Sequence, residues 1–240
     1  AAVIAHRLMG DWEPTPTFFT GLISQTTDDV DLSRPYPFCL AHPHEGEIGS
    51  LGDIGDWLIE WKWDGIRAQL IRRQGETFLW SRGEEMVLPR FPELEPAAAM
   101  LPSGTVLDGE IVGWNEGGVL PFGQLQRRIG RKTVGKKLLR EVPAAFIAFD
   151  LLEDAGKDVR NRPLSWRRKR LQEVLEDLAD RHAGSSMIDT PVPVFASPLV
   201  EATTWDECTT VREESRERNV EGLMLKRRDS EYAPGRVTGV

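Results

Sequence analysis

One segment of the sequence, residues 58–67, places an amine between two carboxylates. A strand has a side-chain period of two, so Glu60, Lys62 and Asp64 lie on one face of the strand that this segment predicts. A lysine amine that has lost its proton is a nucleophile, and it can form a covalent intermediate with a substrate. The other face of the predicted strand is apolar, which indicates packing on a core, and it carries Ile59, Trp61 and Trp63.

Lys62 also has a simpler interpretation as part of a solvated strand face, because surface ion pairs are common and contribute little to stability. The flanking tryptophans favour an anchored strand instead. Gly65 allows a turn that a side chain would resist, and Arg67 begins a second strand-like segment. A lysine is mostly protonated at neutral pH, so a nucleophilic role requires a nearby cation or the removal of water.

The composition is that of a globular chain with a sizeable core. Of the 240 residues 40% are hydrophobic, enough for one large domain or two small ones. The formal net charge is −8, so any contact with nucleic acid has to use a local basic patch. Cys39 and Cys208 could pair, but two cysteines do not make a disulfide scaffold, and a reducing cytoplasm fits. We expect neither a membrane span nor a signal peptide.

Short strands dominate from residue 57 onward. Besides the first, alternating or β-prone segments predict strands at 66–73, 77–81, 105–114 and 146–152. Asp108 and Glu110 share a face of the third of these segments. Because strands and helices do not alternate regularly, the expected fold class is α+β, with largely antiparallel sheets flanked by helices.

Two helices stand out in the second half of the chain. Ser165 is expected to cap a helix that ends near Gly184. Thr204 and Glu207 form a capping box for the other helix. The apolar face of the first helix consists of Leu171, Val174, Leu175 and Leu178.

The order K-x-D-G-x-R at 62–67, with Glu60 two residues before the lysine, matches a covalent nucleotidyltransferase signature. Four more segments follow in a set order: Ser81-Arg82-Gly83, Leu107-Asp108-Gly109-Glu110, Ala148-Phe149-Asp150-Leu151-Leu152 and Glu221-Gly222-Leu223-Met224-Leu225-Lys226. Together they resemble the ATP-dependent DNA ligases, relatives of the mRNA capping enzymes, from about residue 37 onward. Each segment also has an ordinary structural explanation, but their common order argues against chance.

The resemblance implies an adenylation domain with the ATP-grasp-like nucleotidyltransferase fold of DNA ligases and capping enzymes. It implies that Lys62 attacks the α-phosphate of ATP to form lysyl-AMP, and that AMP then passes to the 5′-phosphate of a DNA nick. The implied partners are ATP and nicked double-stranded DNA, with Mg²⁺ as cofactor, and we expect a cytoplasmic monomer. The implied nucleotide-binding residues are Glu60 at the adenine, Arg67, Arg82, Glu110 at the ribose, Phe149 stacked on the purine and Lys226 at the phosphates. Glu221 is the implied metal ligand.

Glu221 and Lys226 are five residues apart, so strict alternation would place them on opposite faces of a strand. The resemblance implies that both reach the site. Gly222 would permit a β-bulge, and a bulge would reconcile the two requirements.

Two other clusters of polar residues have open interpretations. The basic run has no acidic residue between its members and is either a solvated loop or a contact for a phosphate backbone. It consists of Arg127, Arg128, Arg131, Lys132, Lys136, Lys137 and Arg140. A metal site in the loop 42–47 is disfavoured, because its histidines and glutamates fit no zinc spacing.

We expect residues 1–35 to be the remnant of an N-terminal helical DNA-binding region with its linker, and residues 36–240 to be the adenylation domain. The segment 232–236 resembles the lead-in to the family's lysine-rich stretch, which contacts the triphosphate and precedes an oligonucleotide-binding barrel. The sequence stops before both, so we expect a piece of a longer protein. This piece is expected to react with ATP more slowly than the complete protein.

Two alternatives stay open at this point. One is a capping-type guanylyltransferase or an RNA ligase, which the nucleotide that labels the protein distinguishes. The other is a nick-binding module that does not catalyse, which an AMP adduct on Lys62 excludes.

Overall fold

The computed structural model describes residues 13–16, 19–20, 32–131, 133–184 and 192–236. The helix end expected within residues 1–10, most of the expected linker, Lys132 and residues 237–240 lie outside the described residues. Of the expected N-terminal remnant at 1–35, the described residues are 13–16, 19–20 and 32–35.

The strands and helices are numbered in chain order. The strands are β1 Cys39–Leu40, β2 Trp57–Trp63, β3 Ile66–Arg73, β4 Glu76–Ser81, β5 Thr105–Asn115, β6 Gly118–Val119, β7 Ala144–Asp154, β8 Lys157–Asp158, β9 Val194–Ala196, β10 Val220–Arg227 and β11 Gly235–Arg236. The helices are α1 Glu95–Ala99, α2 Phe122–Ile129, α3 Lys136–Glu141, α4 Leu164–Ala183 and α5 Trp205–Arg212. Short 3₁₀ turns lie at Ile48–Leu51, Ile54–Asp56, Leu88–Arg90, Pro92–Leu94 and Glu213–Ser215.

In the described part of the chain, the strands form one large sheet and two strand pairs. The large sheet has the order β4-β3-β5-β7-β8, with β6 added to β5 and β9 added to β7. Strand β10 pairs antiparallel with β2, and β11 pairs parallel with β1. Most pairings are antiparallel, whereas β9 runs parallel to β7. The predicted α+β class with largely antiparallel sheets is confirmed.

Both faces of the large sheet are covered. One face packs against α1 and α4 in an extensive apolar cluster that includes Phe91, Phe146 and Leu175. The other face holds a smaller cluster that includes Trp80 and Tyr232. Strand β7 is buried along nearly its whole length, as its apolar sequence predicts.

The two predicted helices lie where the sequence places them, but one of the predicted capping residues was wrong. Helix α4 presents its predicted apolar face to the core and ends at Gly184, but its N-cap is Pro163, so Ser165 is not the cap. Thr204 does cap α5, where its hydroxyl accepts a hydrogen bond from Glu207 N at 3.2 Å. The Glu207 carboxylate accepts from the backbone N–H of Thr203, at 2.7 Å, and also interacts with the backbone of Thr204.

The described residues also show the state of the two cysteines and the character of the helices. Cys39 and Cys208 are both free thiols, so the pairing left open above does not occur. No helix in the described part of the chain combines the length and apolar character that crossing a bilayer requires.

Candidate active site

The site begins at the pairing of β2 with β10, which contains the predicted bulge. Val220 lies opposite Trp63 and Gly222 opposite Lys62, so Glu221 is the extra residue of β10. Gly222 has a φ of +149°, a value that residues with a side chain rarely adopt. The bulge places the Glu221 carboxylate in contact with the Lys62 amine. The prediction that glycine at 222 would allow this is confirmed.

Lys226, on β10, also contacts strand β2, at Glu60. It contacts Oε2 of Glu60 with its amine, and the amine lies 4.4 Å from the centroid of the Phe149 ring. Glu60 is 2% exposed, so the polar face of β2 is covered at this point rather than solvated. Ile59 and Trp61 on the opposite face are buried as predicted, while Trp63 is half-buried and donates to Ser197 Oγ at 3.0 Å. The simpler interpretation of a solvated strand face is wrong at Glu60.

Arg67 is held by a buried carboxylate. Its Nε and Nη2 donate to the two oxygens of Asp108 at 2.7 and 2.8 Å. Asp108 Oδ2 also accepts from the Tyr232 hydroxyl at 2.6 Å. A bidentate arginine–carboxylate pair fixes both position and orientation, so Arg67 is presented rigidly with its guanidinium 4.5 Å from the centre of the Phe149 ring.

Phe149 is aimed by an irregularity in its strand. In the pairing of β5 with β7, Asp108 lies opposite Asp150 and Gly109 opposite Ala148, so Phe149 is skipped. Such bulges re-aim side chains and are frequent beside active sites. The ring meets Arg67 and Lys226, and in that position it joins the two sheets of the site.

Glu110 lies directly opposite Arg67 in the pairing of β3 with β5. Burial raises the pKa of Glu110 to about 8, while the positive charges of Arg67, Lys62 and Arg82 act in the other direction. These charge interactions place Glu110 among the cations of the site. Arg82 is exposed at the rim, where its backbone N–H donates to the carbonyl of Arg67 at 2.8 Å.

Gly65 is required for a different reason from the expected one. Its φ is not in the left-handed region, so its backbone does not require a glycine. A Cβ built on Gly65 would stand 2.2 Å from the carbonyl oxygen of Ile111 and 2.9 Å from Cγ of Glu110. The glycine lets the turn between β2 and β3 approach β5, and this approach brings Lys62 and Glu110 together.

All eight predicted site residues therefore belong to one connected cluster. Glu221 contacts Lys62, whose positive charge acts on Glu110, and Lys226 contacts Glu60 and Phe149. Phe149 is in turn in contact with Arg67, which pairs with Glu110 across the sheet. Arg82 joins through its bond to the Arg67 backbone and its charge at Glu110.

Sequence reasoning missed the supports of this cluster. Arg168 on α4 bonds Glu60 at 2.9 Å, and Tyr232 bonds Asp108. A signal for Arg168 existed, because it follows Leu164 by four residues and precedes Leu171 by three, which places it on the buried face of the helix. Nothing in the local sequence indicates the partner of Tyr232.

The basic run does not act as a unit. Arg128 is fully buried, and its guanidinium binds Glu93 together with the carbonyls of Arg90 and Val142. A contact from Arg128 to a phosphate backbone is therefore excluded, since the side chain faces the core. Exposed positions remain at Arg127, Arg131, Lys136, Lys137 and Arg140, with Arg127 paired to Glu141.

The histidines and glutamates of the loop 42–47 are not gathered into a group of three or more. Among the described residues, no group of three or more histidine, cysteine, aspartate or glutamate side chains is arranged to hold a metal ion. His44 Nε2 lies 3.2 Å from the carbonyl oxygen of Glu47 within the loop itself.

Comparison with known proteins agrees with this geometry. Residues 40–239 match the family model described as ATP dependent DNA ligase domain. A probable DNA ligase of Koribacter versatilis is 35% identical over 220 residues, which cover 88% of this chain and 38% of that protein. The chain belongs to the family of ATP-dependent DNA ligase domains.

Solved structures show the same fold. The ligase domain of Mycobacterium tuberculosis LigD is 29% identical, with a TM-score of 0.59 over 83% of this chain and 57% of that one. A mycobacterial DNA ligase D complexed with ATP and MES is also 29% identical, with a TM-score of 0.58 over 83% of this chain and 56% of that one. The predicted family and fold are confirmed, and the chain spans well under half of the Koribacter protein.

Proposed function

We propose that Lys62 is the nucleophile that takes AMP from ATP, as the first step of sealing a nick in double-stranded DNA. The observation that carries the proposal is the connected cluster of eight predicted residues around Lys62 and Phe149. Five separate segments of the sequence supply these residues, and two sheets bring them together. Membership in the ligase family supports the same reaction.

The step requires a neutral amine at Lys62. The nitrogen attacks the α-phosphorus, a P–N bond forms, and the bond from the α-phosphorus to the bridging oxygen breaks with departure of pyrophosphate. The Lys62 side chain is 39% exposed, so water can take the proton that the ammonium loses. Lys226 is paired with Glu60, and Arg67 is paired with Asp108. Each carboxylate partly offsets the positive charge that its partner presents to the substrate.

The nucleotide is held by the rest of the cluster. The purine stacks on Phe149. The cations Arg67 and Lys226 lie beside this ring, where they can interact with the electrons of an aromatic ring and with the phosphates of the nucleotide. Glu110 binds the ribose hydroxyls, and Glu60 faces the adenine. Arg82 is exposed at the rim and can reach the nucleotide from there.

The donor set at Lys62 fits Mg²⁺. Glu221 presents a carboxylate that is 46% exposed beside the reacting amine, and Mg²⁺ in phosphoryl-transfer sites commonly binds through one or two carboxylates plus substrate phosphates. A larger protein ligand cluster is not needed. When bound, the ion supplies positive charge against the charge that builds up on pyrophosphate.

The later steps belong to the whole protein. AMP passes to the 5′-phosphate at the nick, and a 3′-hydroxyl then displaces it to form the phosphodiester. We further propose the division into an N-terminal remnant at 1–35 and an adenylation domain at 36–240, a monomeric state, and a cytoplasmic location. The exposed basic positions on α2 and α3 are our proposed contact with the DNA backbone.

The test is labelling of the intact protein with ATP or GTP carrying an α-phosphate label, in the presence of Mg²⁺. We expect a covalent adduct from ATP that Lys62→Ala abolishes. Lys62→Arg should abolish it as well, because a guanidinium stays protonated. Lys157→Ala, which removes an exposed lysine on β8, is the matched control and should label normally.

Each alternative has its own outcome in this experiment. Labelling from GTP rather than ATP would indicate a guanylyltransferase. Absence of any adduct from the folded protein would indicate a binding module. Persistent labelling of Lys62→Ala would show that another residue is the nucleophile.

A further inference from the structure

Glu60 is held in place by a side chain outside the ligase-like segments. Arg168, on α4, donates from Nη1 to Oε1 of Glu60 at 2.9 Å. Its Nη2 donates to the carbonyl oxygen of Ser197, just beyond β9. Arg168 is 9% exposed, so the pair is closed off from solvent. One guanidinium thereby ties the Glu60 carboxylate to a helix and to the edge of the large sheet.

The second oxygen of Glu60 is also engaged. Lys226 contacts Oε2, and the same amine lies beside the Phe149 ring. Glu60 is therefore next to the ring on which the purine is proposed to stack. Arg168 contacts neither Phe149 nor Lys62 among the interactions of the described residues, so its effect on a bound base passes through Glu60.

The remaining capacity of Glu60 has a definite chemical preference. Each carboxylate oxygen has two lone-pair positions, so acceptor sites remain after both cations are bound. An ionised carboxylate accepts hydrogen bonds and donates none. The 6-amino group of adenine is a donor, whereas the 6-oxo group of guanine is an acceptor and would face the carboxylate unpaired. A site built to bond one polar group discriminates strongly against an analogue that lacks it.

We propose that Arg168 is the positioning residue for base selection: it holds the Glu60 carboxylate where this group accepts from the 6-amino group of adenine. ATP is thereby preferred to GTP. The inference rests on the proposed adenylation by Lys62, and it assigns to α4 a role in specificity that the ligase-like segments do not contain.

The experiment compares initial rates of adduct formation from ATP and from GTP in the intact protein. The ratio of the two rates is independent of the folded fraction, since both nucleotides sample the same protein. We expect Arg168→Met to lower the ATP-over-GTP ratio about tenfold, the effect of roughly one lost charged hydrogen bond. Arg168→Lys should restore part of the ratio, because it keeps a cation at the position.

Two further variants separate specificity from general loosening. Glu60→Gln should also lower the ratio, and adding Arg168→Met to it should change the ratio little further, because both act through one side chain. Arg128→Met removes another buried arginine with a carboxylate partner, Glu93. It should lower the melting temperature and leave the ratio unchanged.

The outcomes are distinct for the two proposals. An unchanged ratio in Arg168→Met, with normal labelling of the wild type by ATP, overturns the role of Arg168. An equal change in Arg128→Met overturns it too, because loosening would then suffice. Absence of an adduct from the wild-type protein overturns the proposed function, and the inference with it.

Discussion

Two charged groups of the site, one on each sheet, are held in different ways. On the β2–β10 pair, Lys62 and Glu221 form what we call the reactive pair, with side chains 39% and 46% exposed. On the large sheet, Arg67, Asp108 and Tyr232 form the arginine anchor, in which Asp108 is fully buried. A lysine is a flexible point charge, whereas an arginine is a rigid planar fork.

The difference matches what each region has to do. A nucleophile must exchange its ion-pair partner for a substrate, and an exposed pair can be broken at little cost in free energy. A group that orients the nucleotide has to stay where it is, and a buried bidentate pair is costly to break because it leaves a charge without a partner. Labile contacts therefore lie at the reacting atom and fixed contacts lie behind it.

The largest effect on stability is expected at the arginine anchor. Asp108→Ala leaves Arg67 and the Tyr232 hydroxyl without their carboxylate, so the free energy of unfolding should fall by roughly 3–5 kcal/mol. Denaturant titration measures the change. Tyr232→Phe removes one bond to Asp108 and leaves the Cys39 backbone N–H without its acceptor, so it should cost roughly 1–2 kcal/mol. A loss for Asp108→Ala no larger than that of Tyr232→Phe would contradict the description of a buried anchor.

The next effect concerns the ring between the two regions. Phe149→Ala should weaken nucleotide binding by roughly 1–3 kcal/mol, the scale of base–aromatic stacking. Calorimetric titration with AMP tests this, with stability measured separately without nucleotide. Phe195→Ala is the matched control, because that ring packs on Trp114 instead. Equal affinities for AMP in wild type and in folded Phe149→Ala would contradict stacking and would show that Phe149 is an ordinary core residue.

The burial of Glu110 on the large sheet predicts that the stability of the protein depends on pH. Burial raises the pKa of Glu110 to about 8, from an ordinary value of 4.5. Between these values the folded protein binds more protons at this group than the unfolded chain, so its contribution to stability is present at low pH and is lost as pH rises toward 8. Glu110→Gln lacks this titration, and it should gain stability relative to wild type between pH 5 and 8. The prediction would be contradicted if the difference in melting temperature between Glu110→Gln and wild type stayed the same from pH 5 to 8.

The smallest effect on stability is expected at the reactive pair. Glu221→Gln breaks an exposed ion pair, so the free energy of unfolding should change by less than about 1 kcal/mol. The rate of adduct formation should nevertheless fall steeply, because the proposed Mg²⁺ ligand is lost. Exposed Glu214, which pairs with Arg218, provides a control whose substitution by glutamine changes neither quantity. A large loss of stability in Glu221→Gln would remove the distinction between the two regions.

Much of this arrangement is visible in the sequence. The alternation around Lys62 and the conformational freedom of Gly222 depend on local geometry, so they predict the strand and its bulge correctly. The supports are not local. Arg168 bonds Glu60 across 108 positions and Tyr232 bonds Asp108 across 124, and no short pattern encodes contacts over such separations.

The wrong predictions have the same origin. Arg128 belongs to a charged run, but its partner Glu93 lies on a distant segment and draws it into the core. Ser165 is a favourable cap residue, yet the helix begins earlier, after Pro163, where the N–H groups of Leu164 and Ser165 bond to the distant carbonyls of Ser230 and Arg228. Gly65 was predicted to allow the turn through its backbone freedom, but the crowding by Ile111 that requires a glycine exists only once the sheet has formed.

We propose that the exposed lysine of the reactive pair, and not the lysine held by Glu60, forms the bond to AMP. The direct test is peptide-level mass spectrometry of the intact protein after incubation with ATP and Mg²⁺. We expect an added AMP on the peptide that contains Lys62 and none on the peptide that contains Lys226. An AMP adduct on Lys226, or its absence from Lys62 in a protein that seals nicks, would contradict it.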